Sequence, residues 1–321
     1  MLLSRKFTLT ALTLGAALLA APVRAAELDN LTPADAQAVM VFNVKQALNS
    51  PLAKKKGAAD LIKNGIDGNE HAKQTLAALG LDPTKDIDSV SIAVGAITDL
   101  QDGKKPEKML ITIHGSFDPE RIDAAAKKEG VKVSKEGDVT VYEFKDKEKG
   151  KDEPGYATLI GKSVVAASPS KEYLLKSIKS SGSASKDLVK ASAKIEAKQS
   201  IWMAVVITDD MRKKMAENPQ FKALAAKLES VTASVDVSDA IVFDLNVNTT
   251  DADAAKMIKT QIDAFLPFIR TTAEADEKNG ELAKELFSNL KIVANPNGLN
   301  VNLKISETTL DKIIKLASGA K

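Results

Sequence analysis

The chain has 321 residues, 45 Lys and Arg against 43 Asp and Glu for a formal net charge of +2, no cysteine and two histidines. The missing cysteine excludes a thiolate nucleophile, a thiolate zinc site, an iron–sulfur cluster and a lipid-acylated cysteine. Balanced charge supplies no global field toward nucleic acid or an anionic membrane, and one Trp with three Tyr leaves few rings to stack on sugars or bases.

Residues 1–25 read as a cleaved secretory signal. Arg5 and Lys6 are its basic start, Phe7 to Pro22 is an uncharged apolar run, and Val23-Arg24-Ala25 ends it with small residues where a signal peptidase reads. The run is shorter than a membrane-spanning helix requires. Arg5, Lys6 and Arg24 leave with it, so 45 basic residues fall to 42 against 43 acidic ones and the mature chain stands at −1. The mature protein is expected in the periplasm or outside the cell, soluble, with no stable membrane insertion and no nucleic-acid partner. A chain of this size buries enough surface to fold without disulfides in an oxidising compartment.

Strands are expected where apolar residues alternate: Val90, Ile92 and Val94; Met109, Ile111 and Ile113; Val231 to Val237; Ile241 to Val247; and Leu299 to Ile305. Period-two alternation marks antiparallel strands. Val39–Val44 and Ile201–Ile207 are almost continuously apolar and are expected as interior strands. Helices are expected at Pro119, capped by Asp118, along Phe221, Leu224, Ala225 and Leu228, from about Asp251 to Thr271, and at Leu310 to Ala317. The order of hairpin, helix, hairpin and helix occurs twice at a nearly constant offset, which reads as an internal duplication. The expected architecture is α+β: two similar lobes, 26–182 and 183–321, each an antiparallel sheet with helices packed on one face. Their boundary falls in the Ser- and Gly-rich Ser177–Lys186. Thr98–Lys108 and Lys145–Gly155 read as polar loops between strands.

Chemistry is sparse. His71 and His114 have no metal-ligand spacing, and each reads as a surface or capping-region residue. Gly155 and Gly161-Lys162-Ser163 fail the phosphate-loop spacing and precede a strand, so they read as a hairpin turn. Ser168-Pro169-Ser170-Lys171 matches the S-x-x-K of penicillin-recognising serine enzymes. It lacks their S-D-N and K-T-G partners, so a helix cap by Ser168 or Ser170 is the better account and a hydrolase using Ser168 and Lys171 the weaker one. The pairs Asp86/Asp88, Asp209/Asp210 and Asp251/Asp253 lie at element boundaries and form no calcium loop. No catalytic residue, metal site or cofactor is expected. In the helix after Asp251, Met257, Ile258, Ile262, Phe265 and Ile269 trace the expected buried face, and Pro267 is expected to kink it. Phe265, Leu266 and Phe268 form a candidate contact patch or apolar-ligand groove, with burial against the neighbouring lobe the plainer alternative.

Four strings, FNVKQALNSPL at Phe42–Leu52, LGLDPTKDIDSVSIAVG at Leu79–Gly95, HGSFDPERI at His114–Ile122 and SPSKEYL at Ser168–Leu174, together resemble a group of uncharacterised secreted proteins of planctomycete-type bacteria. The strings are strands, caps and turns, and the resemblance implies export and carries over no catalytic residue. The expectation is a non-enzymatic envelope component that binds or scaffolds, its partner an envelope protein or an apolar ligand.

Overall fold

The computed structural model describes residues 25–97, 106–145, 154–219 and 221–317; all but Ala25 of the expected signal, and the tips of both polar loops, lie outside them. Twelve strands join edge to edge in one antiparallel sheet. They are β1 (Ala38–Phe42), β2 (Ile87–Val94), β3 (Met109–Gly115), β4 (Lys132–Glu136), β5 (Val139–Lys145), β6 (Pro154–Ile160), β7 (Val164–Ser168), β8 (Ile201–Val206), β9 (Leu228–Val237), β10 (Ile241–Thr249), β11 (Leu290–Asn295) and β12 (Gly298–Ile305). Their order is β11-β12-β10-β9-β8-β1-β2-β3-β7-β6-β5-β4. The fold is therefore mixed α and β around one large antiparallel sheet. The strands expected to form two sheets meet where β1 pairs β8 from Ala38↔Val205 to Phe42↔Ile201.

The two continuously apolar segments are these central strands. Both are paired on each side and both faces carry apolar residues, although burial alternates along them, with Val39, Val41, Trp202 and Ala204 buried and Met40, Phe42, Ile201 and Met203 half-buried. Gly161, at φ 62°, makes the tight turn between β6 and β7, a backbone region that glycine enters without steric cost. No ligand is needed to explain that Gly-Lys sequence.

Between the strands lie α1 (Val44–Asn49), α2 (Pro51–Lys55), α3 (Ala58–Asp67), α4 (Glu70–Leu79), α5 (Pro83–Asp86), α6 (Pro119–Lys128), α7 (Lys171–Lys179), α8 (Lys186–Ser192), α9 (Asp209–Ala216), α10 (Lys222–Ala225), α11 (Ala252–Glu274), α12 (Gly280–Asn289) and α13 (Glu307–Ala317). Local chemistry starts them. Asp118 accepts the N–H of Glu120 at 3.0 Å ahead of Pro119 in α6, Ser170 accepts that of Tyr173 at 3.3 Å for α7, and Asp251 that of Ala254 at 2.8 Å for α11. Each cap satisfies an N–H that the helix leaves without a partner. One expected helix is shorter than its apolar spacing suggests. α10 ends at Ala225, and Leu228 is instead the first residue of β9, because pairing with β8 and β10 captures the chain there.

The sheet's two faces differ. On one, Val39, Val41, Ala93, Leu110, Ala166, Trp202 and Ala204 are buried against Leu174 of α7, Leu188 and Ala191 of α8, and Ala26 and Ala36 of the segment before β1. On the other, a second cluster at one end of β8–β12 joins Leu299 to Ile207, Leu228, Met211 of α9, Leu224 of α10 and Ile258 of α11.

Candidate functional site

Cross-strand pairing lines up two apolar rows on this second face. One runs Ile292, Val301, Leu245, Ala233, Met203, Met40, Ile92, Ile111, Ala167, Ala157. The other runs Leu290, Leu303, Phe243, Val235, Ile201, Phe42, Val90, Ile113, Val165, Leu159. With neighbouring strands about 4.8 Å apart, the rows extend about 43 Å across ten strands. Every one of these side chains is half-buried. Apart from Ile292 and Val301, none packs against either buried cluster. No charged or polar residue interrupts either row. Half-exposed apolar side chains at the middle of a large sheet are unusual, since interiors pack densely and leave few voids.

The helix α11 borders this wall. It packs on β10, β11 and β12, with Ile258 buried and Ile262 half-buried. Burial then fades. Phe265, expected on the buried face, is 66 % exposed, Ile269 54 % and Phe268 72 %, while Leu266 is half-buried. Burial of this patch against a neighbouring lobe is thus not what forms, because the 3.6-residue stripe continues after the helix has run past the surface that covers it. The helix runs unbroken through Pro267. The Thr271 hydroxyl donates to the Pro267 carbonyl at 2.9 Å.

A separate cavity of about 380 Å³ lies on the first, closed face. Its floor is Val41 with its cross-strand partners Ser91 and Trp202, then Ser89 with its partner His114. Its roof is the segment Glu27–Asn30. His114 Nε2 bonds Asp29 Oδ2, whose side chain is 7 % exposed, and Asp29 Oδ1 accepts the Leu31 N–H at 2.7 Å. His114, whose side chain is 40 % exposed as the surface reading expects, also ties the sheet to the roof. Sequence spacing conceals this tie, because the two partners lie 85 positions apart. Ser89 stands beside the imidazole, yet among the described residues no hydrogen bond joins its hydroxyl to His114. The His114–Asp29 contact ties the segment before β1 to the sheet.

The Ser168–Lys171 pair is likewise not assembled for catalysis. Ser168 ends β7 at 3 % exposure, and its hydroxyl accepts the Ser170 N–H at 3.1 Å. Lys171 Nζ instead lies 2.5 Å from Glu136 Oε1, and that carboxylate holds the ammonium above its usual pKa, opposite to what a general base requires. The acidic pairs also have local partners. Asp88 meets Lys45 at 2.8 Å, and Asp251 caps α11 with its carboxyl lowered by the Ala254 N–H. His71 lies in α4. Among the described residues no three His, Asp or Glu side chains cluster as a metal site, and no helix is long and apolar enough to cross a membrane.

No known protein family matches the chain, and no curated protein is similar to it. Among solved structures, the chain is similar to TP0453, a Treponema protein described in crystal form I. The two share 12 % identity and a TM-score of 0.47, over 90 % of this chain and 97 % of that one.

Proposed function

We propose that this protein is an exported, non-enzymatic binding protein whose half-open sheet face takes up an apolar ligand such as a long acyl chain. The observation behind the reading is the pair of uninterrupted apolar rows across ten strands, every member half-buried and most outside both sealed clusters. Burying such a wall under a ligand is favourable by about 25 cal/mol per Å². The exposed Phe265, Phe268 and Ile269 of α11 supply an apolar lip beside it. Export, to the periplasm or outside the cell, rests on the residue pattern of 1–25.

The duplication belongs to the same reading. Outward from the centre, β1 is followed by β2, β3, β7 and β6, and β8 by β9, β10, β12 and β11. The same order of strands thus recurs on both sides of the central pair, with β5 and β4 added beyond β6 on one side alone. Two copies meeting edge to edge produce one apolar wall twice as wide as either half supplies, which suits a long ligand.

The test is titration of the purified, delipidated mature protein with a fluorescent long-chain fatty acid. Saturable uptake is expected, and Met40→Glu and Met203→Glu are expected to weaken it at least tenfold while circular dichroism stays unchanged. Absence of saturable uptake, or uptake indifferent to both substitutions in folded protein, overturns the proposal.

A further inference from the structure

The cavity under Glu27–Asn30 lies on the face opposite the apolar rows, and its chemistry is different. We propose that it binds a small organic cation, a protonated primary amine with a short carbon stem.

Charge comes first. The lining includes the carboxylates of Glu27 and Asp29 and no Lys or Arg, in a chain where basic and acidic residues are almost equal in number. Glu27 is exposed at the rim and makes no ion pair among the described residues. Asp29 lies deeper, with the His114 imidazole and one backbone N–H as its partners.

Hydrogen-bonding capacity follows the same sign. Asn43 already commits its Nδ2 to the Gln199 carbonyl at 2.7 Å, which leaves its Oδ1 as the group free to accept. Together with the two carboxylates and the Ser91 hydroxyl, this makes the lining rich in acceptors. An ammonium group has three N–H donors and no acceptor, and so complements it. Trp202 and Val41 supply an apolar wall for the carbon stem, and an indole also attracts a cation. A metal ion fits less well, because Glu27, Asp29 and His114 do not converge as a ligand set. About 380 Å³ of space is at the small end of ligand cavities.

Trp202 is the single tryptophan of the chain and lines the cavity, so its fluorescence reports occupancy. Mature protein is titrated with n-pentylamine and, separately, with 1-pentanol, at pH 7.5 and constant ionic strength. A saturable change with pentylamine is expected, and none with pentanol over the same range. Glu27→Gln, which removes an exposed charge and no packing, is expected to weaken pentylamine at least threefold, and Asp29→Asn at least tenfold. Ser91→Leu, which fills the cavity, is expected to abolish the response. Equal responses to amine and alcohol, no saturation with pentylamine, or unchanged affinity in folded Glu27→Gln and Ser91→Leu each overturn the proposal. Because the cavity and the apolar rows are on opposite faces, failure here leaves the acyl-chain reading standing, and the reverse.

Discussion

Leu110 and Ile111 are consecutive on β3 and face opposite ways, so truncating each measures how closed its face is. Leu110 is 1 % exposed within the first cluster. Leu110→Ala leaves a cavity that its neighbours cannot fill, and a cost of about 3–5 kcal/mol is expected. Ile111 is half-buried, sits across from Ile92 and Ala167, and packs against neither buried cluster. Ile111→Ala removes three carbons, at most about 2.4 kcal/mol of transfer free energy at ~0.8 kcal/mol per group. Partial exposure reduces this, and an open site adds no cavity term. A cost of about 1–1.5 kcal/mol is expected.

Urea unfolding followed by Trp202, which is 3 % exposed in the folded chain, measures both in one assay, provided the m-value is unchanged. A saturating acyl ligand adds about 2.7 kcal/mol to the wild type at one hundred times its dissociation constant. It is expected to add less to Ile111→Ala and the full amount to Leu110→Ala. Equal losses above about 3 kcal/mol for the two variants would refute the argument, because the wall would then be as sealed as the opposite face.

Three further outcomes follow from local geometry. Asp251→Ala removes the cap of α11 and the Lys227 contact at 3.3 Å, and a loss of about 1 kcal/mol in urea unfolding is expected. Gly298→Ala forces a side chain at φ 150° with its Cβ 2.1 Å from the Val247 carbonyl oxygen, and about 3 kcal/mol or more should be lost. Tyr173 donates to Asp35 at 3.1 Å, and burial together with that carboxylate pushes its hydroxyl pKa well up. A raised folded pKa stabilises below the unfolded value of about 10 and is lost as pH rises beyond it. The stability gap between wild type and Tyr173→Phe should therefore be constant below about pH 9 and narrow progressively above about pH 10 in thermal melts.

Much of the sheet is legible in the sequence because alternation is a local signal. Val90–Val94, Met109–Ile113, Val231–Val237 and Leu299–Ile305 all lie in strands. The continuously apolar Val39–Val44 and Ile201–Ile207 point to the centre for the same reason. Edge-to-edge joining is a different matter. It depends on β1 meeting β8, more than a hundred residues away, and no local pattern records that contact. The α11 stripe misleads on Phe265 and Ile269 because a periodic face says nothing about how far the surface beneath it extends. The cavity is the least legible feature. Its lining comes from five separate segments, its histidine has an ordinary spacing, and its key contact joins Asp29 to His114 only after the segment before β1 crosses the sheet.

The two faces of the sheet explain why this chain spends so many apolar residues at its centre. On β10 and β12 the first face carries Asp244, Asn246, Asn300 and Asn302, joined across the strands by Asn300 Nδ2 to Asn246 Oδ1 and Asn302 Nδ2 to Asp244 Oδ1, both at 2.9 Å. Cross-strand polar pairs of this kind stabilise a face in contact with water. The strands therefore had a polar solution available on that face. The opposite face of the same strands uses Phe243, Leu245, Val301 and Leu303, each only half-buried although α11 packs on β10, β11 and β12. Leaving large apolar side chains partly wet forgoes stabilisation that a covering helix would supply. A second occupant recovers it, and a flexible apolar molecule laid across the strands reaches the whole length of the rows at once.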